Sequence, residues 1–190
     1  MSSVRTKLAI TAVATGALVT TASGTAYAAG VSPANTTVIA TSGQVKISLV
    51  TLGAVLVITC PISTIQFTTP SSGYGPVTIS PNPTFGNCVD VYGGSAAVSA
   101  GGMWQLTAVA GPTSVRIGIP AGGLTIVDPS MLKDCVLTAL NMTITGSYSN
   151  STGQVTFSRA PLSLTSPVCG VWPSAYLDAV YWTSPHLTIT

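Results

Sequence analysis

Apolar and polar residues alternate in short runs along most of the chain. In the clearest run, residues 140–145 read Leu, Asn, Met, Thr, Ile and Thr. This is the period of a β-strand with one buried and one solvated face, so the Leu, Met and Ile side chains are predicted to face the core. The alternation resumes over residues 154–158 after Asn150-Ser151-Thr152-Gly153, whose residue types favour a turn. The segment is therefore predicted to be a β-hairpin.

The remaining predicted strands are short, and the turns between them are rich in Gly and Pro. Residues 54–58 form a continuous apolar run, which is typical of a strand buried on both faces. No stretch has convincing helical periodicity, although residues 129–133 are compatible with a single turn. The other predicted strands cover residues 45–49, 62–67, 77–79, 84–92, 103–110, 114–119, 124–127, 162–165, 179–182 and 187–189.

Many short strands with frequent turns predict an all-β fold, an antiparallel β-sandwich or barrel. Residues 44–190 are enough for one core, so they are predicted to form a single β domain. Residues 29–43, rich in Ser, Thr and Ala, are predicted to be a flexible lead-in that is compatible with one edge strand around residues 37–40.

The first 28 residues have the features of a secretory signal peptide. Arg5 and Lys7 precede an apolar stretch over residues 8–19, and Ala26-Tyr27-Ala28 supplies the small-x-small pattern that a signal peptidase recognises. Cleavage is predicted before Ala29. An uncleaved membrane anchor is disfavoured because the apolar stretch is shorter than a bilayer span. The protein is predicted to be secreted, with no membrane insertion after cleavage.

Removal of this segment changes the charge. The chain has six Lys and Arg residues against four acidic residues, and two of the six are Arg5 and Lys7, so the remainder has a formal charge of zero. Nucleic acids and anionic membranes need a basic patch, and four cations scattered along the sequence do not predict one. Both kinds of partner are excluded at this stage.

Four cysteines in a secreted chain favour two disulfides over a metal site, because zinc ligands are normally paired at much closer spacing. Three connectivities are possible. Cys60–Cys88 with Cys135–Cys169 is preferred, because each pair then encloses one local strand–turn–strand unit. No metal site and no cofactor are predicted.

The order of these features resembles a family of small secreted, four-cysteine, β-rich proteins of actinobacteria, of unknown function. The resemblance covers nearly all of the chain after the signal peptide. It implies the fold and the secretion, and it implies no activity. The matching residues are Thr59-Cys60, Phe85-Gly86-Asn87-Cys88, Trp104-Gln105-Leu106, Cys135, the segment Gly146-Ser147-Tyr148-Ser149-Asn150-Ser151-Thr152-Gly153, and Cys169.

Candidate chemistry is sparse. Four aromatic residues near the C-terminus, Trp172, Tyr176, Tyr181 and Trp182, surround Pro173. Such rings serve either as a carbohydrate-binding surface or as core packing of a β fold, and the second use is favoured. His186 is the only histidine, and no Gly-x-Ser-x-Gly motif accompanies it. No Glu is present to build the carboxylate pair of a glycosidase.

These observations favour a secreted, non-catalytic protein with a structural or surface-interaction role at or outside the cell envelope, either released or loosely held at the cell wall. A carbohydrate-binding module that uses the aromatic residues is the first alternative. A hydrolase built around His186 and a protease inhibitor that presents the Pro-rich residues 70–83 are the others. The partner is unknown, with an envelope component, an extracellular protein or a glycan as the candidates.

Overall fold

The structure is a computed structural model, and it describes residues 29–51, 54–110, 113–129, 135–167 and 174–190. Within these ranges the chain forms β-strands and no helix, and hence no helix long and apolar enough to cross a membrane. The strands are β1 (Val31–Ser32), β2 (Thr37–Thr51), β3 (Ala54–Cys60), β4 (Ile62–Thr68), β5 (Val77–Ile79), β6 (Thr84–Gly86), β7 (Val89–Asp90), β8 (Ala97–Ala100), β9 (Trp104–Val109), β10 (Ser114–Ile119), β11 (Leu124–Val127), β12 (Val136–Ala139), β13 (Met142–Ser149), β14 (Gln154–Leu162), β15 (Leu164–Thr165), β16 (Ser174–Ser184) and β17 (Thr188–Ile189).

Eight strands close into an antiparallel barrel. Their order around the barrel is β4-β5-β9-β10-β13-β14-β16-β2, and β2 pairs back onto β4. Side chains alternate between the interior and the solvent along each strand, as the pleat of a strand requires. In β10, for example, Val115, Ile117 and Ile119 are buried and Arg116 is exposed. The all-β, antiparallel prediction is confirmed.

Four barrel strands continue beyond the barrel into a second sheet. This sheet has the order β8-β11-β12-β15, and its members are joined in sequence to β9, β10, β13 and β14, which are neighbours in the barrel in the same order. Short non-strand segments separate the two strands of each pair, at residues 101–103, 120–123, 140–141 and 163. The four strands therefore leave the barrel together.

Apolar side chains fill the barrel. A single hydrophobic cluster contains buried residues from the barrel and from the second sheet, such as Ile47 and Ile126. The two internal cavities described measure about 20 Å³ each, which is room for roughly one water molecule. Neither of these two cavities has space for a larger ligand.

The predicted flexible lead-in over residues 29–43 is instead part of the fold. These residues form β1 and the first part of β2, which pairs with β4 and β16. Val38 and Ala40 point into the barrel and are buried. Alternation in this segment depends on small residues such as alanine, so its hydrophobic signal is weak.

Two predictions about burial are also wrong. The apolar run over residues 54–58 is not buried on both faces: β3 lies beside β2 and β7, and Val55 on its outer face is 56% exposed. Leu140 is 48% exposed because it lies in the short non-strand segment between β12 and β13. Met142 is partly buried and Ile144 is fully buried, so the predicted inward face of the hairpin begins at Met142.

Candidate functional site

Strand β16 divides its side chains between the inside and the outside of the barrel. Its odd-numbered residues 175–181 are buried, whereas Tyr176, Asp178, Val180 and Trp182 lie on the outer face. β14 flanks this face on one side and β2 on the other. The outer face of these three strands carries the candidate site.

Irregular pairing shapes this face on both sides of β16. On β14, Ser158 and Arg159 lie between the paired positions Phe157 and Ala160, opposite Asp178. On β2, Gly43 and Gln44 lie opposite Val180. Each irregularity is a β-bulge, in which two residues of one strand face one residue of its neighbour. Bulges bend a strand and re-aim its side chains, and they are common beside functional sites.

Arg159 is the residue that the first bulge re-aims. Its φ of 46° lies in the left-handed region, which is uncommon for a residue other than glycine. The Arg159 N–H donates a hydrogen bond of 2.7 Å to Asp178 Oδ1, and this bond holds the bulge against β16. The guanidinium carbon lies 4.7 Å from the centre of the Tyr176 ring, within the range of a cation–π contact.

Two adjoining surface depressions run along this face. One, of about 470 Å³, includes Lys46, Asp178 and Trp182 in its lining, and the other, of about 360 Å³, includes Arg159, Tyr176 and Asp178. Both include Asp178 in their lining, so they adjoin at this residue, and the two together are called here the β16 groove. Lys46 is the cross-strand neighbour of Asp178 in the pairing of β2 with β16, so a cationic and an acidic residue lie side by side on this face.

The four predicted aromatic residues do not form one cluster. Tyr176 is half-buried and Trp182 is 46% exposed, both on the outer face. They are six residues apart on β16, which places them about 20 Å from each other along the strand. Tyr181 points into the barrel and is 3% exposed, so it does not belong to this surface. Trp172 lies outside the described residues.

Tyr181 makes interior contacts. Its hydroxyl forms a hydrogen bond of 2.9 Å with Ser63 Oγ, and its ring meets Phe157 edge to face at 6.3 Å between centroids. Burial raises the pKa of Tyr181 to about 12, and the hydrogen bond with Ser63 acts in the opposite direction. Tyr181 is thus a core residue with a satisfied hydroxyl.

The elements proposed for catalysis or inhibition are placed as follows. His186 is exposed in the segment between β16 and β17, beside Gly153, and no hydrogen bond among the described residues includes its ring. No group of three potential metal-ligating side chains occurs in the described part of the chain. Residues 70–83 are not one loop, because β5 in their middle is a barrel strand.

The Cys60–Cys88 disulfide predicted from the sequence is present. It joins β3 to the segment between β6 and β7. Cys135 is buried and directly precedes β12, and no described cysteine is free. Cys169 lies outside the described residues, so the Cys135–Cys169 pairing stays a prediction.

Comparison of the chain with protein-family models, with curated proteins and with solved structures finds no match. The resemblance to secreted actinobacterial proteins therefore stays a prediction from the sequence. The β16 groove is the feature of the described structure that bears on function.

Sequence reasoning did not find Arg159, Lys46 and Asp178. They are far apart in the chain, and nothing near Arg159 in the sequence marks a bulge. One signal was available. Side chains of even-numbered residues in an extended strand lie on one face and those of odd-numbered residues on the other, so Tyr176 and Trp182 must face away from Tyr181.

Proposed function

We propose that this protein is a secreted, non-catalytic binding protein that acts at or outside the cell envelope, with the β16 groove as its ligand-binding surface. One observation carries the proposal. A single outer face combines an exposed Trp, an Arg-stacked Tyr, a Lys and an Asp in a depression shaped by two bulges. The two cavities described inside the barrel, by contrast, each have room for roughly one water molecule.

A glycan is the ligand class that this surface fits best. A sugar ring has apolar C–H faces, which pack on aromatic rings, and a rim of hydroxyls, which pair with charged and polar side chains. Trp182 and Tyr176 supply rings toward the two ends of the groove, and Lys46 and Asp178 lie between them. Aromatic residues of this kind serve well where one side of a ligand is apolar and the other is hydrated.

Two features support the extracellular role. The first 28 residues have the pattern of a signal peptide, and the Cys60–Cys88 disulfide is consistent with an oxidising environment. Protein recovered from culture supernatant is expected to begin at Ala29. Recovery of the chain only inside cells, with Met1 intact, contradicts secretion.

Glycan binding is tested on an array of neutral and acidic oligosaccharides. Wild-type protein is expected to bind at least one class, and Trp182→Ala is expected to weaken that binding about tenfold or more. Tyr92→Ala is the matched control, because Tyr92 is 79% exposed and lies outside the β16 groove. Absence of binding to every glycan, or equal losses in the two variants, contradicts the proposal.

A further inference from the structure

The cations of the chain are distributed unevenly in the fold. Lys46, Arg116 and Arg159 are the Lys and Arg residues in the described part of the chain, and two of them line the β16 groove. The groove contains one carboxylate, Asp178, among its described lining residues. It therefore has a formal charge of +1, whereas the chain after residue 28 is neutral.

Asp178 does not use its contact with Arg159 to neutralise the guanidinium. The carboxylate accepts the backbone N–H of Arg159 at 2.7 Å, while the guanidinium stacks on the Tyr176 ring. Among the described residues, no ion pair within 4 Å joins Arg159 to a carboxylate. An Arg whose guanidinium stacks on an aromatic ring can still donate hydrogen bonds from the N–H groups along its edge, in the plane of the guanidinium.

The left-handed backbone conformation at Arg159 places its side chain beside Tyr176. A left-handed conformation is energetically unfavourable in a residue other than glycine, and such positions cluster at functional sites. Here the conformation directs a long cationic side chain along the outer face, toward Tyr176. A planar guanidinium in a fixed position suits an oxyanion, which it binds through two parallel hydrogen bonds.

From these observations we infer that the ligand of the β16 groove is an acidic glycan, with Arg159 as the residue that binds its anionic groups and Lys46 as a second positive charge. The inference rests on the proposed glycan-binding function. Trp182 stacks on one sugar ring, and Arg159, stacked on Tyr176, binds a carboxylate or phosphate further along the chain. The separation of about 20 Å along β16 calls for an extended oligosaccharide rather than a single sugar.

Titration calorimetry with matched ligands tests the charge requirement. Tetragalacturonate carries carboxylates, its fully methyl-esterified form is the neutral counterpart, and phosphorylated maltotetraose carries phosphates. The protein is expected to bind one of the two acidic ligands at least tenfold more tightly than the neutral ester. This preference is expected to shrink as salt is raised from 0.05 M to 0.5 M, because exposed charges are screened. The tighter of the two acidic ligands identifies the anion.

Arg159→Asn tests the assigned residue. Asn tolerates the left-handed conformation better than most residues, so the bulge is expected to survive, and thermal unfolding checks that it does. Affinity for the acidic ligand is expected to fall about tenfold, whereas affinity for the neutral ester stays the same. Arg116→Gln is the matched control, since Arg116 is exposed on β10, outside the groove, and it is expected to change neither affinity.

Three outcomes overturn the inference. Equal affinity for the acidic and neutral ligands, with Trp182→Ala still weakening both, leaves the proposed glycan binding standing and removes the charge requirement. Binding of poly-glutamate as tight as that of the acidic glycan shows that the groove selects acidic peptides or charge alone. Absence of binding to every oligosaccharide removes the proposed function and the inference with it.

Discussion

Cys60 and Cys88 are directly opposed in neighbouring antiparallel segments, with their Cα atoms 4.0 Å apart. β4 pairs with β6 so that Ile62 opposes Gly86, and β3 pairs with β7 so that Thr59 opposes Val89. The register is the same on both sides of the disulfide. β6 and β7 therefore behave as one strand that runs antiparallel to β3 and β4. The disulfide links the two sides at the point where β6 passes into β7.

This link is expected to stabilise the fold by about 3–4 kcal/mol, because it closes a loop of 28 residues and so restricts the unfolded chain. The double variant Cys60→Ala/Cys88→Ala is expected to lose that amount in denaturant unfolding under oxidising conditions. Changing both residues avoids an unpaired thiol that could exchange with other cysteines. A loss below about 1 kcal/mol contradicts the prediction.

The two faces of β13 are expected to differ sharply in their tolerance of charge. Ile144 is 1% exposed, whereas Thr143 is on the solvent face of the same strand. Ile144→Asp is expected to cost roughly 4 kcal/mol or more, since it buries an unpaired charge, and Thr143→Asp less than about 1 kcal/mol. Denaturant melts measure both. Equal losses mean that the outer face of β13 is covered, and the reverse order means that the register is shifted by one residue.

The contrast between these neighbours was predictable from the sequence, because strand alternation is a local property. Local pattern does not determine where a strand ends. Leu140 continues the same alternation in the sequence but is exposed, since the chain passes there from the second sheet into the barrel. The second sheet consists of strand extensions. Its β11 was predicted as a separate strand and its β15 lies within the strand predicted over residues 162–165, whereas β8 and β12 were not predicted.

The candidate site was predictable only in part. Tyr176 and Trp182 were identified as potential ligand contacts, but their proximity in sequence to Tyr181 concealed that Tyr181 is a core residue. The charged members of the groove come from β2, β14 and β16, and pairing between strands brings them together. A sequence pattern contains no information about such non-local pairing, and no residue preference marks a bulge at Arg159.

The buried phenol of Tyr181 is expected to make stability depend on pH in the alkaline range. Its pKa is about 12 in the folded protein and near 10 in the unfolded chain. The neutral form is therefore favoured by folding, and this contribution is fully present below pH 10 and is lost as the pH rises from 10 to 12. The expected loss in free energy of unfolding is about 2–3 kcal/mol.

Urea unfolding of wild type and Tyr181→Phe between pH 8 and pH 12 checks this expectation. The variant is expected to lack this alkaline decrease and to lose about 1–3 kcal/mol at pH 8, because Ser63 is left buried without its partner. Tyr92→Phe, at a residue 79% exposed, is the control and is expected to follow the wild type. An alkaline decrease that persists in Tyr181→Phe shows that another group causes it.

The ends of the described chain are joined to each other and to the hairpin between β13 and β14. β1 pairs with β17, and Gly30 and Thr190 exchange backbone hydrogen bonds of 2.9 Å in both directions. On the other side of β17, the Asn150 side chain behaves like a neighbouring strand. Its Nδ2 donates to the Ile189 carbonyl and its Oδ1 accepts the Ile189 N–H, both at 2.8 Å.

Asn150→Asp is expected to loosen both termini together. The new carboxylate still accepts the Ile189 N–H, but it faces the Ile189 carbonyl without a proton to donate. The expected loss in free energy of unfolding is about 1–3 kcal/mol. The backbone amides of Gly30 and Thr190 are expected to exchange hydrogen faster by similar factors, because the amide of each residue is bonded to the carbonyl of the other. Below about pH 4 the Asp becomes protonated and can donate again, so the loss of stability is expected to shrink there.

Thr152→Ala, at an exposed position in the same turn, is the control. Faster exchange at Thr190 alone means that β1 is held independently of β17, by contacts such as the Ala29 N–H to the Ala108 carbonyl.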